Sequence, residues 1–240
     1  MKKTEKFFSR FNPNVPIIIT NHQTAEMIKY ANNSFLATKI SFINQIANIC
    51  QAIPDTNIDD IAATIGLDPR IGNLFLNAGP GYGGSCLPKD MSAIINLSSK
   101  IGVKPTLLNA VEKTNKLQIN NIMQLIKQNI RKIKGKKIAI LGVAFKPDTD
   151  DIRDSTGIEL ARRLMKLGAD ITIHDPKALD NTRKIFRDNA KYAITISSAL
   201  ENCQCAIIMT QWKEYEKIDN KTIKYMNKKF IIDSRRILSN

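Results

Sequence analysis

Residues 134–145, KGKKIAILGVAF, divide this chain of 240 residues into two kinds of sequence. The Lys-Gly-Lys-Lys at 134–137 reads as a boundary, and KIAILGVAF (137–145) has the unbroken apolar character of a strand buried on both faces of a parallel sheet. Downstream the pattern repeats. A helix is expected over 156–167, closed by Gly168, and ADITIHD (169–175), AITI (193–196), CAIIMT (205–210) and FIID (230–233) supply four more strands with helical stretches between them. Strands alternating with helices predict a doubly wound, Rossmann-like α/β domain over 135–240.

Upstream of the boundary the chain reads as mainly helical over 1–134. One long helix is expected over 20–53, with Thr20 and Gln23 spaced as a capping box, apolar positions such as Ile28, Phe35, Phe42 and Ile49 at helical spacing, and Pro54 as its end. Further helices are expected over 56–65, with Gly66 just past the end, near 90–100, stopped by Gly102, and over 106–132. The overall fold class is therefore α/β, a helical domain followed by a parallel sheet.

Composition narrows the function. The net charge of +14 comes from lysines spread along the chain, with no pairing of aromatic and basic residues of the kind that RNA-binding sheets use. A basic, solvated surface around a site for an anionic small molecule is the expectation, and no nucleic-acid partner. There is no run of about 18 apolar residues to span a membrane, and the basic start MKKTEKFFSRFNPN lacks the apolar core of a secretory signal. Four irregularly spaced cysteines suggest neither a disulfide framework nor a zinc site, and point to the reducing cytoplasm. His22 and His174 have no partner at metal-ligand spacing, so no metal is expected.

The chemistry concentrates in GPGYGGSCLPKD (79–90). Glycines at this density allow a backbone to approach a ligand closely. Cys86 follows them near an expected helix start, beside Lys89 and Asp90, where a thiol is placed to act as a nucleophile; a buried, merely apolar cysteine is the plainer alternative. Lys29 and Asn33, four residues apart, share one face of the long helix and could stabilise an oxyanion, although a solvated Lys–Asn pair is the plainer account of that spacing. In the second domain, Gly142 after the first strand and Asp175 after the second echo a dinucleotide fingerprint. The turn LGVAFKPDTDD has one glycine where three are needed, and no helix start directly follows it. Lys146, Asp148, Asp150, Asp151 and Arg153 instead suggest a polar binding loop. Cys203 and Cys205 are expected to pack in a buried strand, and Trp212 touches either nucleotide or core.

AEMIKYANNSFLATKISFIN (25–44), GPGYGGSCLPKD (79–90) and GVAFKPDTDDIRDS (142–155) together resemble the UDP-glucose/GDP-mannose dehydrogenase family, in its order and spacing and over nearly the whole chain. Within it the cysteine string is most similar to the branch that oxidises UDP-glucose. The GDP-mannose branch shares GGSCLPKD (83–90), whereas members acting on UDP-N-acetylmannosamine usually carry His where this chain has Ser85. The resemblance implies a four-electron oxidation of UDP-glucose to UDP-glucuronate with two NAD. Cys86 would pass through a thiohemiacetal and a thioester, Lys29 and Asn33 would steady the oxyanions, and Asp90 would assist hydrolysis. Phe75, Leu76, Asn77, Ala78, Gly79 and Gly83 would hold the nucleotide sugar with Lys146. Lys89 and Arg153 would reach NAD, and Arg70 a neighbouring subunit's substrate. The long helix would form a homodimer. The resemblance also implies that the family's N-terminal NAD-binding domain is absent here. Two expectations follow: a separate NAD-binding chain completes the enzyme, or the chain is a truncated remnant that dimerises and binds UDP-sugar.

Overall fold

The computed structural model describes residues 2–11 and 13–238, without the side chains of Lys2 and Lys3. A short helix α1 (Lys2–Phe11), not expected from the sequence, leads through an extended segment to the long helix α2 (His22–Cys50). Asn21 rather than Thr20 caps α2, its side chain accepting from the Thr24 N–H. Amide side chains compete well with hydroxyls at this position. Helix α3 (Ile58–Gly66) is capped in the same way by Asn57, and Gly66 is its last residue rather than a left-handed cap. Helices α4 (Leu87–Lys100) and α5 (Thr106–Asn129) complete the helical layer, with Gly102 at φ +78° turning the chain between them.

The sheet contains β1 (Lys137–Leu141), β2 (Asp170–His174), β3 (Lys191–Ala193), β4 (Cys205–Ile208) and β5 (Ile231–Asp233), all parallel, in the order β3-β2-β1-β4-β5. Helices α6 (Thr156–Lys166), α7 (Leu179–Phe186), α8 (Ile196–Leu200) and α9 (Asn220–Ile223) connect the strands. This is the doubly wound class expected from the sequence. β1 stops at Leu141, four residues earlier than the apolar run, because Gly142 turns the backbone to φ +93°. β3 is shifted upstream of 193–196 because Thr195 and Ser198 form a capping box that starts α8.

The sheet core is continuous with the helical layer. Ile119, Ile122, Met123 and Ile126, from the second half of α5, are buried in the same apolar cluster as β1 and β4, while Val111 near the start of α5 packs with Ala37 of α2 and Met91 of α4. One helix therefore ties the two layers together.

The face of α2 that packs inside is small and polar: Ser34, Ala37, Ser41 and Asn44 are buried, with Ile43. Of the apolar positions read from the sequence, Ile28, Phe35, Phe42 and Ile49 are exposed, whereas Ile46 packs against the buried cluster of Ile43, Ile58 and Leu76. No described helix is long and apolar enough to cross a membrane.

Candidate active site

Cys86 is the N-cap residue of α4, and Pro88 follows in the first turn, where a missing N–H is harmless. The cysteine is exposed, its sulfur 3.7 Å from the Ser85 hydroxyl. One turn on, Asp90 donates its backbone N–H to the Cys86 carbonyl at 2.9 Å, which places its carboxylate beneath the cysteine. That carboxylate is fully buried, and its Oδ2 accepts from Lys29 Nζ at 2.8 Å and from Asn33 Nδ2 at 2.6 Å. Lys89 Nζ stands 3.8 Å from Oδ1, which has no hydrogen-bond partner among the described residues. The Lys–Asn pair of α2 is thus held by a carboxylate of α4, a contact between residues 61 and 57 positions apart.

Electrostatics follow from this arrangement. Burial pushes Asp90 toward its neutral form. The hydrogen bonds from Lys29 and Asn33, helped by the charges of Lys29 and Lys89, outweigh burial and hold the carboxyl below its ordinary range. The same bond to Asp90 raises the ammonium of Lys29. Lys29 and Arg153 both lie close enough to interact with the Cys86 sulfur electrostatically.

The glycine string is held by the protein itself. The Gly79 N–H donates to Asn44 Oδ1 at 2.7 Å, the Tyr82 N–H donates to Asn115 Oδ1 at 2.8 Å, and Asn115 Nδ2 returns a bond to the Tyr82 carbonyl at 3.0 Å. The Gly84 N–H donates to the Arg153 carbonyl at 2.9 Å. A Cβ on Gly84, at φ +84°, would stand 2.6 Å from the Phe145 ring, and one on Gly83 would overlap the Asp154 carbonyl. These glycines are required because the loop 142–155 packs onto them, a different reason from close approach to a ligand. That loop also carries Arg153, whose guanidinium forks onto Asp151 with Nη2–Oδ2 at 2.7 Å.

The remaining expected residues are spread around this centre. Leu76 is buried, Phe75 is exposed at φ +66°, and Asn77 is exposed. Ala78 and Gly79 line a cavity of about 180 Å³ between α2, α5 and β5. Lys146 is exposed, with its ammonium 5.6 Å from the centre of the Phe145 ring. Arg70 forks onto Asp68 at the surface, Nη2–Oδ2 2.6 Å, and makes no hydrogen bond or ion pair with the Cys86 cluster.

Three residues escaped the sequence reading: Asn44 and Asn115, which hold the glycine string, and Arg235. Arg235 is part of DSRR (233–236); its Nε donates to the Met209 carbonyl at 2.8 Å, and its Nη1 would lie 3.1 Å from a Cβ on Gly79. No carboxylate pairs with it among the described residues, and burial lowers its pKa to about 10. Two adjacent arginines just after a strand were the available signal.

The switch point of the sheet, between β1 and β4, is where open α/β sheets bind ligands. Here it is filled. A Cβ on Gly142 would meet Thr210 at 2.5 Å, and Thr210 Oγ1 donates to the Ala144 carbonyl at 2.6 Å. Asp175 Oδ2 accepts from the Val143 and Ala144 N–H groups at 2.7 and 2.9 Å and from the Trp212 indole at 3.2 Å. Asp175 therefore organises the turn, and Trp212 is core. No helix directly follows Gly142, as read from the sequence, but the start of α6 returns to this turn in space: a Cβ on Gly157 would lie 2.7 Å from the Gly142 carbonyl. Cys203 and Cys205 are buried strand-edge packing, their thiols pushed up to about 11 and about 12 by burial.

Residues 23–117 match the UDP-glucose/GDP-mannose dehydrogenase family, central domain, and residues 139–240 match the same family's UDP binding domain. The chain belongs to the UDP-glucose/GDP-mannose dehydrogenase family. It is 43% identical over 226 residues to the UDP-glucose 6-dehydrogenase AglM of Haloferax volcanii, covering 94% of this chain and 52% of that one. It is 40% identical over 225 residues to TuaD of Bacillus subtilis, a UDP-glucose 6-dehydrogenase, covering 93% and 49%. A UDP-glucose dehydrogenase structure from Pyrobaculum islandicum superposes with a TM-score of 0.87 at 30% identity, covering 98% of this chain and 57% of that one. The chain spans about half the length of the curated relatives it matches.

Proposed function

We propose that this chain carries the cysteine centre and nucleotide-sugar site of a UDP-glucose 6-dehydrogenase. The observation that carries the reading is the buried Asp90 carboxylate gripping Lys29 and Asn33 directly beneath an exposed Cys86. The 40–43% identity to UDP-glucose 6-dehydrogenases favours UDP-glucose over GDP-mannose.

In this reading the Cys86 sulfur adds to the C6 aldehyde of the sugar. The new S–C bond forms as the carbonyl π pair moves to oxygen, which takes the proton that the thiol gives up. N–H donors already fixed in place are worth most where that charge develops, and Lys29 and Asn33 are such donors. Asp90, held ionised, is a weak base, so we assign it to fixing Lys29 and Asn33 rather than to taking a proton. Residues 75–79 and Gly83 face the nucleotide, with Arg235 and Lys146 supplying cations for its diphosphate. Arg70, turned outward on Asp68, is free to serve the site of a second copy.

When bound, NAD would supply the hydride acceptor of this reaction, each of two NAD molecules taking one hydride. The residues present do not build its site, because Thr210, Asp175 and Trp212 fill the crevice at the sheet's switch point. Only Lys89 and Arg153, at the rim of the cysteine site, would face it. The part of the relatives' length that lies outside this chain is assigned that binding. With four free cysteines, the protein suits the reducing cytoplasm.

The test is NAD reduction on adding UDP-glucose, with this chain alone and mixed with the amino-terminal half of a relative. Turnover is expected only in the mixture, and Cys86→Ala abolishes it. No turnover in either case contradicts the enzymatic reading and leaves a UDP-sugar-binding remnant.

A further inference from the structure

The amino end of the sheet gathers cations from several stretches of chain. Five of the seven residues in RKIKGKK (131–137) are Lys or Arg. Arg131, Lys132 and Lys134 are exposed, and Lys136 and Lys137 are half-buried where β1 begins. The neighbouring segments are hydrogen-bonded to this one. The Gly135 N–H donates to the Gly168 carbonyl at 2.7 Å, the Asp170 N–H to the Lys136 carbonyl at 2.9 Å, and the Gln204 N–H to the Lys137 carbonyl at 2.8 Å. The Asn202 N–H donates to the Tyr225 carbonyl at 2.8 Å, the Asn227 N–H to the Cys203 carbonyl at 2.9 Å, and Lys228 Nζ to the Asn129 carbonyl at 3.1 Å. Lys166, Lys224, Lys228 and Lys229, all exposed, are thereby brought to the same end of the domain.

These charges are not neutralised from within. None of them forms an ion pair among the described residues, and the acids carried by the same segments are Asp170 and Glu201. Like charges held together without partners repel one another, a cost that an anionic partner relieves. The face also points away from the cysteine. β1 leaves it at Lys137 and ends at Leu141, beside the loop 142–155 that packs on the glycine string, so the cations and Cys86 lie toward opposite ends of the strands. A partner at the amino end leaves Cys86 open.

We propose that the amino end of the sheet docks on the surface of an anionic lipid bilayer. The attraction of Lys and Arg to such a surface accumulates residue by residue and acts within a Debye length, so cations spread over one broad end of a domain suit it. Tyr225 and Leu167, 46% and 41% exposed, stand next in sequence to Lys224 and Lys166. Apolar bodies beside cationic heads match the level of lipid headgroups. Single-stranded nucleic acid is met instead by rings on which bases stack. The exposed ring of Tyr225 already has its own cation over it, Lys224 Nζ 5.1 Å from its centre.

The test is sedimentation of this chain with vesicles of phosphatidylcholine, alone or with about 30% phosphatidylglycerol. Binding is expected to the anionic vesicles and not to the neutral ones, and it should fall at least tenfold as salt rises from about 0.05 to about 0.5 M. Arg131→Gln, Lys132→Gln and Lys229→Gln together should weaken it at least tenfold. Lys100→Gln, Lys104→Gln and Lys113→Gln remove the same charge from exposed positions of the helical layer and should change it less than twofold. Alkylation of Cys86 by iodoacetamide, read by mass spectrometry, should run on the vesicles at its rate in free solution. No binding to anionic vesicles, equal losses in the two triple variants, or protection of Cys86 overturns the proposal. So does loss of binding in Phe7→Asp with Phe11→Asp, which would make α1 the membrane contact. Displacement from the vesicles by duplex DNA at equal phosphate also overturns it, and would make a nucleic acid the partner.

Discussion

Asp90 sits at the centre of the site, and its state is set by two residues on another helix. Its carboxyl titrates below the ordinary range of about 3.9 because Lys29 and Asn33 bind the ionised form more strongly than burial opposes it. A group depressed in the folded state contributes stability above its unfolded pKa and loses it as the pH falls through the folded value. Asp90→Asn should therefore destabilise the protein near neutrality by about 1–2 kcal/mol, held down because Lys29 remains open to solvent screening. The difference from the unaltered protein should shrink below about pH 4 and vanish in stronger acid, as read by urea unfolding at each pH. For Lys29, raised by the same contact, the contribution is complete below about pH 10.4 and fades only above it. A gap that persists unchanged into strong acid would show that the charge of Asp90 is not what matters. Cys86 was singled out by its place at an expected helix start and Lys29 with Asn33 by a shared helix face, whereas the part given to Asp90 came from the family resemblance. Asn44, Asn115 and Arg235 were not singled out. Their roles depend on backbone groups that come near only after folding, such as Tyr82, 33 residues from Asn115.

At the scale of elements, glycine and capping residues decided most boundaries, and the misplacements have local causes. Gly142 ended β1 inside an apolar run, and the Thr195–Ser198 box moved β3 upstream. In α2 the large apolar residues and the small ones lie on different faces. A helix that packs Ser34, Ala37, Ser41 and Asn44 inside can approach α4 and α5 closely, and its large side chains then point outward. Ile28, Phe35, Phe42 and Ile49 recur every seven residues, the spacing of a seam between helices. This seam is where the homodimer expected from the family resemblance would form. Phe35→Asp with Phe42→Asp should give a monomer by sedimentation, with protomer stability altered by less than about 0.5 kcal/mol because both positions are exposed. A variant that remains a dimer would place the interface elsewhere.

At the scale of the whole molecule, the doubly wound sheet was legible from alternating apolar runs, and so was the departure of its first turn from a dinucleotide fingerprint. Two missing glycines were the sign, and the structure adds that Thr210, Asp175 and Trp212 are hydrogen-bonded to one another or to that turn. The glycine-rich string is likewise explained by the neighbouring layer: Phe145 and Asp154 press against it and tie the cysteine to the sheet. In the proposed reading, a nucleotide sugar is held at Cys86 and the hydride acceptor is held elsewhere. Calorimetric titration of the chain with UDP-glucose, GDP-mannose and NAD, each alone, tests this most directly. Binding of UDP-glucose in preference to GDP-mannose, with no heat from NAD, is the expected result. Tight binding of NAD by this chain, or no binding of UDP-glucose, would contradict it.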